Sequence, residues 1–256
     1  MSVLKSLCIA FSIYSKIPMP QFDWKEKDMR YSLCFFPWIG AVIGALEWGW
    51  KYLADRLGLG TLCLVCVGTA IPILITGGFH VDGFMDTCDA LHSYRSREEK
   101  LEILKDPHIG AFSVIMLVLY FLLFVAGLSE VSCVNSYLAV CGGFYLARAL
   151  SGLMVVTERT AKKDGLLVTF ANTAHRRVVQ VALCLQIGLG MAWFFYWDVL
   201  TAVLTALVLG AFLLLYHFRM KKELGGITGD TAGYFVTVSE LLIVLCGAVR
   251  SVLLLQ

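Results

Sequence analysis

Three aspartates, Asp82, Asp86 and Asp89, stand at i, i+4 and i+7 within Gly77-Gly78-Phe79-His80-Val81-Asp82-Gly83-Phe84-Met85-Asp86-Thr87-Cys88-Asp89-Ala90. On a helix turning ~100° per residue they fall within an arc of about 60°. Like charges so placed destabilise a helix unless something offsets them. A divalent cation does so, because hard carboxylate oxygens are what Mg²⁺ takes, together with substrate phosphates. A solvated acidic face would be the plainer explanation on an arbitrary surface helix. Here the segment follows a long apolar run ending at Thr76, where uncompensated charge is costly. The spacing therefore predicts a metal face made by Asp82, Asp86 and Asp89. His80 stands beside it, as a proton acceptor or as an ordinary hydrogen-bonded histidine.

Three further stretches suit anionic substrates. In Lys105-Asp106-Pro107-His108-Ile109-Gly110-Ala111-Phe112, Gly110 opens an apolar span and lets backbone N–H groups approach an anion, while Lys105 can neutralise phosphate. Lys162-Lys163-Asp164-Gly165-Leu166 is a basic turn. In Gly225-Gly226-Ile227-Thr228-Gly229-Asp230-Thr231, three glycines precede another apolar span and make a phosphate nest, with Asp230 placed to cap the helix or reach a metal. Taken singly, each also reads as a membrane anchor, a turn or an N-cap. Glu47, Arg148 and Glu240 lie inside apolar runs, where ionisable groups face a cavity or pair with one another. Their pairing is not legible from spacing.

The elements that must position these residues are membrane spans. The chain has 256 residues, 59% hydrophobic and 16% charged, and apolar runs of bilayer length recur along it. We expect one all-α polytopic domain over 1–256 with seven spans, about 31–53, 57–76, 111–128, 131–156, 178–196, 199–218 and 231–254. An N-terminal interfacial or partly inserted helix over 3–15 precedes them, ended by Pro18 and Pro20. Residues 77–110 read as a long polar loop or short helices. No cleavable signal peptide is evident. Cys63-Leu-Val-Cys66 lies mid-span and reads as packing, like most of the nine cysteines.

Basic residues mark alternate connections: Lys16, Lys25, Lys27 and Arg30; then Arg95, Arg97, Lys100 and Lys105; then Arg159, Lys162, Lys163, Arg176 and Arg177; then Arg219, Lys221 and Lys222. The intervening connections carry few or none. The positive-inside rule then predicts a multi-pass inner-membrane protein with its N-terminus cytoplasmic and its C-terminus outside. Every glycine-rich and charged motif falls at the cytoplasmic face. Clustered carboxylates, lysines and glycine loops there suit metal-assisted phosphoryl or nucleotidyl transfer. An anion transporter is the competing class, but its charges would sit near the midplane, often in inverted repeats. The net charge of +2 gives no reason to expect nucleic acid as a partner; a lipid bilayer is expected, and the oligomeric state is left open.

The aspartate segment, the segment Lys105–Phe112 and the segment Leu224–Thr231, with Glu240 beyond, closely resemble the signatures of the cobalamin synthase (adenosylcobinamide-GDP ribazoletransferase) family, in order and spacing over essentially the whole chain. The chain departs at His108, where an arginine is usual, and at Lys162, where arginine is common. The resemblance implies a cobalamin-biosynthetic transferase that needs Mg²⁺. A ribose hydroxyl of α-ribazole, or of its 5′-phosphate, attacks the phosphorus nearer the corrinoid in adenosylcobinamide-GDP, and GMP leaves. On this reading Asp82, Asp86 and Asp89 hold the metal on the diphosphate. Lys105, Gly110, Lys162, Lys163, Gly225, Gly226, Thr228, Gly229 and Asp230 steady the phosphates. His80 or an aspartate accepts the proton, and Glu47, Arg148 and Glu240 give buried polar support. The spaced aspartates are also similar to those of CDP-alcohol phosphotransferases, whose Ala-Arg pair and longer gap this chain lacks.

Overall fold

The computed structural model describes residues 2–253. Its helices, in chain order, are α1 (Ser2–Tyr14), α2 (Phe36–Leu57), α3 (Thr61–Thr76), α4 (Phe79–His92), α5 (Arg97–Ile103), α6 (Ala111–Glu130), α7 (Val134–Thr157), α8 (Leu166–Thr173), α9 (Arg176–Trp197), α10 (Val199–Glu223) and α11 (Gly229–Leu253). Helix is what a bilayer demands, since every backbone group must find its partner within the segment. Helices α6, α7, α9, α10 and α11 are each long and apolar enough to cross a membrane, and counting each of two bent pairs as one span brings the number up to seven. One pair joins Lys27–Cys34 to α2 at 43°; the other joins α3 to α4 at 94°. A break of 94° means that α3 and α4 are not one straight span but a broken or re-entrant one. The break needs Gly77 and Gly78, both in the left-handed region at φ 66° and 80°.

Helix α7 is the axis of the bundle. It is buried along nearly its whole length and is wrapped by α2, α9 and α11. Gly40 and Gly44 let α2 press onto the α7 backbone at Phe144 and Cys141, where any Cβ would collide. The N-terminal helix α1 does not simply lie on the surface, because Ile9, Ala10 and Phe11 are buried in the core.

The element edges differ from expectation in three informative places. The first span begins at Phe36 rather than near Tyr31, with a proline in its first turn and short 3-10 turns before it. The sixth continues through the charged Arg219–Lys222 to Glu223, because Lys and Arg are good helix formers beyond the apolar boundary. Within 77–110 the structure has a 14-residue helix, α4, as well as the short α5. Leu254, the expected end of the last span, lies outside the described residues.

The basic segments converge on one end of the bundle. Lys16 N donates to Ile75 O at 2.7 Å, His175 N to Arg30 O at 3.1 Å, and Arg97 Nη2 to the carbonyl of Lys222 at 3.3 Å. This site end also carries α4.

Candidate active site

Helix α4 is held against α11 by two glycines. A Cβ on Gly83 would lie 2.7 Å from the carbonyl oxygen of Asp230, and one on Gly233 would lie 3.0 Å from that of His80. This close crossing brings Asp230 of α11 to the aspartate face of α4. Phe84 completes the contact, stacked on Tyr234 with ring centroids 5.6 Å apart.

The three spaced aspartates have different roles. Asp89 turns to the entrance of α6, whose N-cap is Gly110 and supplies no side-chain oxygen. The Asp89 carboxylate accepts from Gly110 N at 2.7 Å, from Ser113 N at 3.0 Å and from the Ser113 hydroxyl. It thus caps a helix from a distance, meeting the unpaired N–H groups and the positive end of the dipole. The anion at Gly110 is the protein's own. Asp82 and Asp86 have no hydrogen-bond or salt-bridge partner among the described residues. Burial, and then the charges of Asp82, Asp230 and Asp89, push the Asp86 carboxyl up to about 6.

Asp230 is held by a cation and a hydroxyl. Its Oδ2 accepts from Lys162 Nζ at 3.1 Å and from Thr228 Oγ1 at 3.2 Å. Lys162 reaches it because two loops are sewn together: Ile227 N donates to Arg159 O at 2.9 Å, and Ala161 N to Ile227 O at 2.8 Å. Gly226 is required where its Cα meets the Arg159 carbonyl, and Gly225 sits at φ 80°. Thr228 and Thr231 cap α11 reciprocally, Thr228 N to Thr231 Oγ1 at 2.8 Å and Thr231 N to Thr228 Oγ1 at 3.2 Å. Asp82, Gly83, Lys162, Thr228, Gly229 and Asp230 line a cavity of about 240 Å³.

Other residues singled out in the sequence fall around this centre. His80 is 5% exposed and lines a neighbouring apolar cavity rather than the acidic one. Burial, and then the charge of Arg148, hold it well below the usual imidazole range. Lys105 is at the rim, its side chain 54% exposed and paired with Glu102 at 2.8 Å. Lys163 lines a second pocket, beside the acidic cavity, with Lys27, Arg30, Asp164 and Asn172. His108 is exposed and bound only to Asp106. Among the buried groups, Arg148 pairs with Glu240 at 2.7 Å, while Glu47 meets the Tyr137 hydroxyl at 3.4 Å. The sequence reading did not single out Ser113; a serine three residues after a glycine N-cap was its available signal. A larger apolar groove of about 370 Å³ between α2, α7 and α9, lined by Trp38, Trp48 and Trp193, carries no group able to do this chemistry.

Among the described residues no three His, Cys, Asp or Glu side chains converge to hold a metal alone. The donor set still suits Mg²⁺, which binds through one or two carboxylates and completes its shell with water and substrate phosphates. Asp82 and Asp86 are one turn apart, without hydrogen-bonding partners, and burial with the neighbouring carboxylates raises Asp86 against only partial relief from Lys162.

The chain matches the family described as cobalamin-5-phosphate synthase over residues 6–248. It is 44% identical over 247 residues to an adenosylcobinamide-GDP ribazoletransferase of Lachnoclostridium phytofermentans, covering 94% of this chain and 92% of that one. It is 33% identical to a protein of the same name from Clostridium perfringens strain 13, covering 92% of this chain and 94% of the relative. A Listeria monocytogenes protein, also so named, is 30% identical over 95% of this chain and 97% of its own. No solved structure matches. Motif order, an all-helical bundle of membrane-spanning length and near full-length similarity agree: this chain belongs to the cobalamin-5-phosphate synthase family.

Proposed function

We propose that this chain is an adenosylcobinamide-GDP ribazoletransferase that uses Mg²⁺ at Asp82 and Asp86. What supports the reading most is the cavity that the partnerless Asp82 carboxylate shares with the Asp230–Lys162 pair, with Asp86 one turn further along α4. A ribose hydroxyl of α-ribazole or its 5′-phosphate attacks the phosphorus nearer the corrinoid. The bond from that phosphorus to the GMP oxygen breaks, GMP departs, and the hydroxyl proton passes to a carboxylate of the same group. When bound, Mg²⁺ supplies charge neutralisation on the diphosphate. Lys162 contributes a positive charge beside the transferring phosphorus, and Asp230 fixes that ammonium in place. Thr228 and Gly229 present the start of α11, whose dipole favours phosphate. Asp89 aligns α4 with α6, so that Asp82 and Asp86 keep their register.

The test is GMP release by the purified protein in detergent. GMP should form only when adenosylcobinamide-GDP, α-ribazole and Mg²⁺ are all present, with an equal amount of completed corrinoid. Silence from folded protein with all three supplied would sink this reading, and CMP release from a CDP-lipid would favour the phosphotransferase alternative. The site end is taken to face the cytoplasm, since the basic segments gather there. A reporter fused after Lys222 should read cytoplasmic, and an external signal would reverse the orientation.

A further inference from the structure

The apolar cavity beside the acidic one contains an anomaly. Tyr14, Phe36, Phe79 and His80 form its aromatic wall, with Tyr14 and Phe36 ring centroids 4.6 Å apart and His80 5.6 Å from both Phe36 and Phe79. Neither ring nitrogen of His80 has a hydrogen-bond partner, although the residue is only 5% exposed. Leaving a buried polar group unpaired is costly, so a histidine with both ring nitrogens unpaired beside a cavity is a candidate to meet a ligand there. The cavity shares Phe79, Leu166, Leu167 and Gly229 with the acidic cavity, so the two adjoin.

Resting on the transfer reaction proposed above, we infer that this chamber is the subsite for the acceptor's base, and that His80 donates a hydrogen bond to the base's one free ring nitrogen. The base of α-ribazole is a benzimidazole, a flat apolar bicycle with a single acceptor nitrogen and no donor. Its faces and edges suit aromatic and aliphatic walls, and its nitrogen needs one N–H, which an imidazole has in either tautomer. The apolar chamber, of about 60 Å³, takes the edge of the ring, and the adjoining cavity, of about 240 Å³, takes the ribose. The ribose hydroxyl then arrives between Asp82 and Asp230. His80 is thus a positioning and specificity residue. A guanine, rich in donors and acceptors, would find few polar partners here, His80 and the hydroxyls of Tyr14 and Ser151, and is disfavoured.

Binding and turnover separate this inference from the reaction itself. Binding of α-ribazole to the full chain in detergent is followed by the fluorescence of the benzimidazole, and GMP release is measured in parallel. The comparison ligand is the indole nucleoside of the same sugar, in which C–H replaces the free ring nitrogen. Wild type should bind it about tenfold more weakly. His80→Phe should weaken α-ribazole by the same factor and bind both nucleosides alike, whereas His80→Gln, which keeps a donor, should retain part of the preference. KM for adenosylcobinamide-GDP should not move in either variant. Gly229→Leu fills open space at the junction, since a Cβ there meets nothing within 4 Å, and should block α-ribazole without unfolding the protein. Equal affinity of wild type for the two nucleosides, or unchanged acceptor binding in Gly229→Leu, overturns the subsite whatever becomes of the His80 variants. Nucleoside discrimination without GMP release would overturn the reaction and leave the subsite standing.

Discussion

The two ends of the bundle each hold buried or half-buried aspartate, and they are built on opposite principles. At the far end Asp198 is saturated. It caps α10 through Leu200 N and Thr201 N, both at 3.1 Å, accepts from Ser136 Oγ at 2.8 Å and pairs with Arg250 Nε at 3.1 Å. Burial alone would raise its carboxyl, but these donors outweigh it and hold it below the usual carboxylate range. At the site end, burial and three neighbouring carboxylates raise Asp86, and no protein donor answers them. The first arrangement stabilises the fold. The second leaves charge unbalanced where a cation and phosphates can balance it, which is how a site differs from a structural node.

The largest expected effect separates these two ends by activity. Asp82→Asn and Asp86→Asn should each reduce GMP release by on the order of 10³-fold or more, since each removes a cation ligand. Asp198→Ala should leave turnover per folded molecule within about twofold, because it lies at the opposite end of the spans. Rates normalised to correctly folded protein check this; an inactive Asp198→Ala that folds normally would erase the distinction.

Stability should move the other way. Asp198→Ala removes a cap and strands Arg250, costing about 1–3 kcal/mol in a thermal melt. Asp86→Asn should stabilise the protein in chelator at pH 7. The sign follows from the raised carboxyl: its contribution is fully present below the ordinary aspartate value of 3.8 and is lost as pH rises through about 6. Asparagine cannot ionise, so its advantage should be present above about pH 6 and vanish towards pH 4. Added Mg²⁺ should stabilise wild type and not Asp86→Asn. Melts across this range, with and without Mg²⁺, decide it; a destabilised Asp86→Asn at pH 7 would place Asp86 among the structural carboxylates.

The smallest effect is expected at His108. Its side chain is 88% exposed and reaches only Asp106, at 2.6 Å. His108→Arg, the residue usual in the family signature, should change kcat/KM by less than about twofold. A tenfold change would bring the loop before α6 into the site.

The sequence alone determined the helical class, the recurring helices of membrane-spanning length, the N-terminal helix and the clustering of motifs in alternate connections. These are local properties: apolar length, glycine breaks and charge bias are written in consecutive residues. The i, i+4, i+7 spacing also made the acidic face of α4 legible, although 77–110 read as a polar loop or short helices, because charges dilute its hydropathy and hide a 14-residue helix. Tertiary structure decided what each carboxylate does. Asp89 became a cap only because α6 begins beside it, and Asp230 joined the site only because Gly83 and Gly233 let α11 approach α4. The same holds for Arg148, which chose Glu240 over Glu47, and for His80, which faces an aromatic chamber assembled from α1, α2 and α4. Partnerships of this kind depend on which residues meet across the bundle, and spacing along one helix carries no record of them.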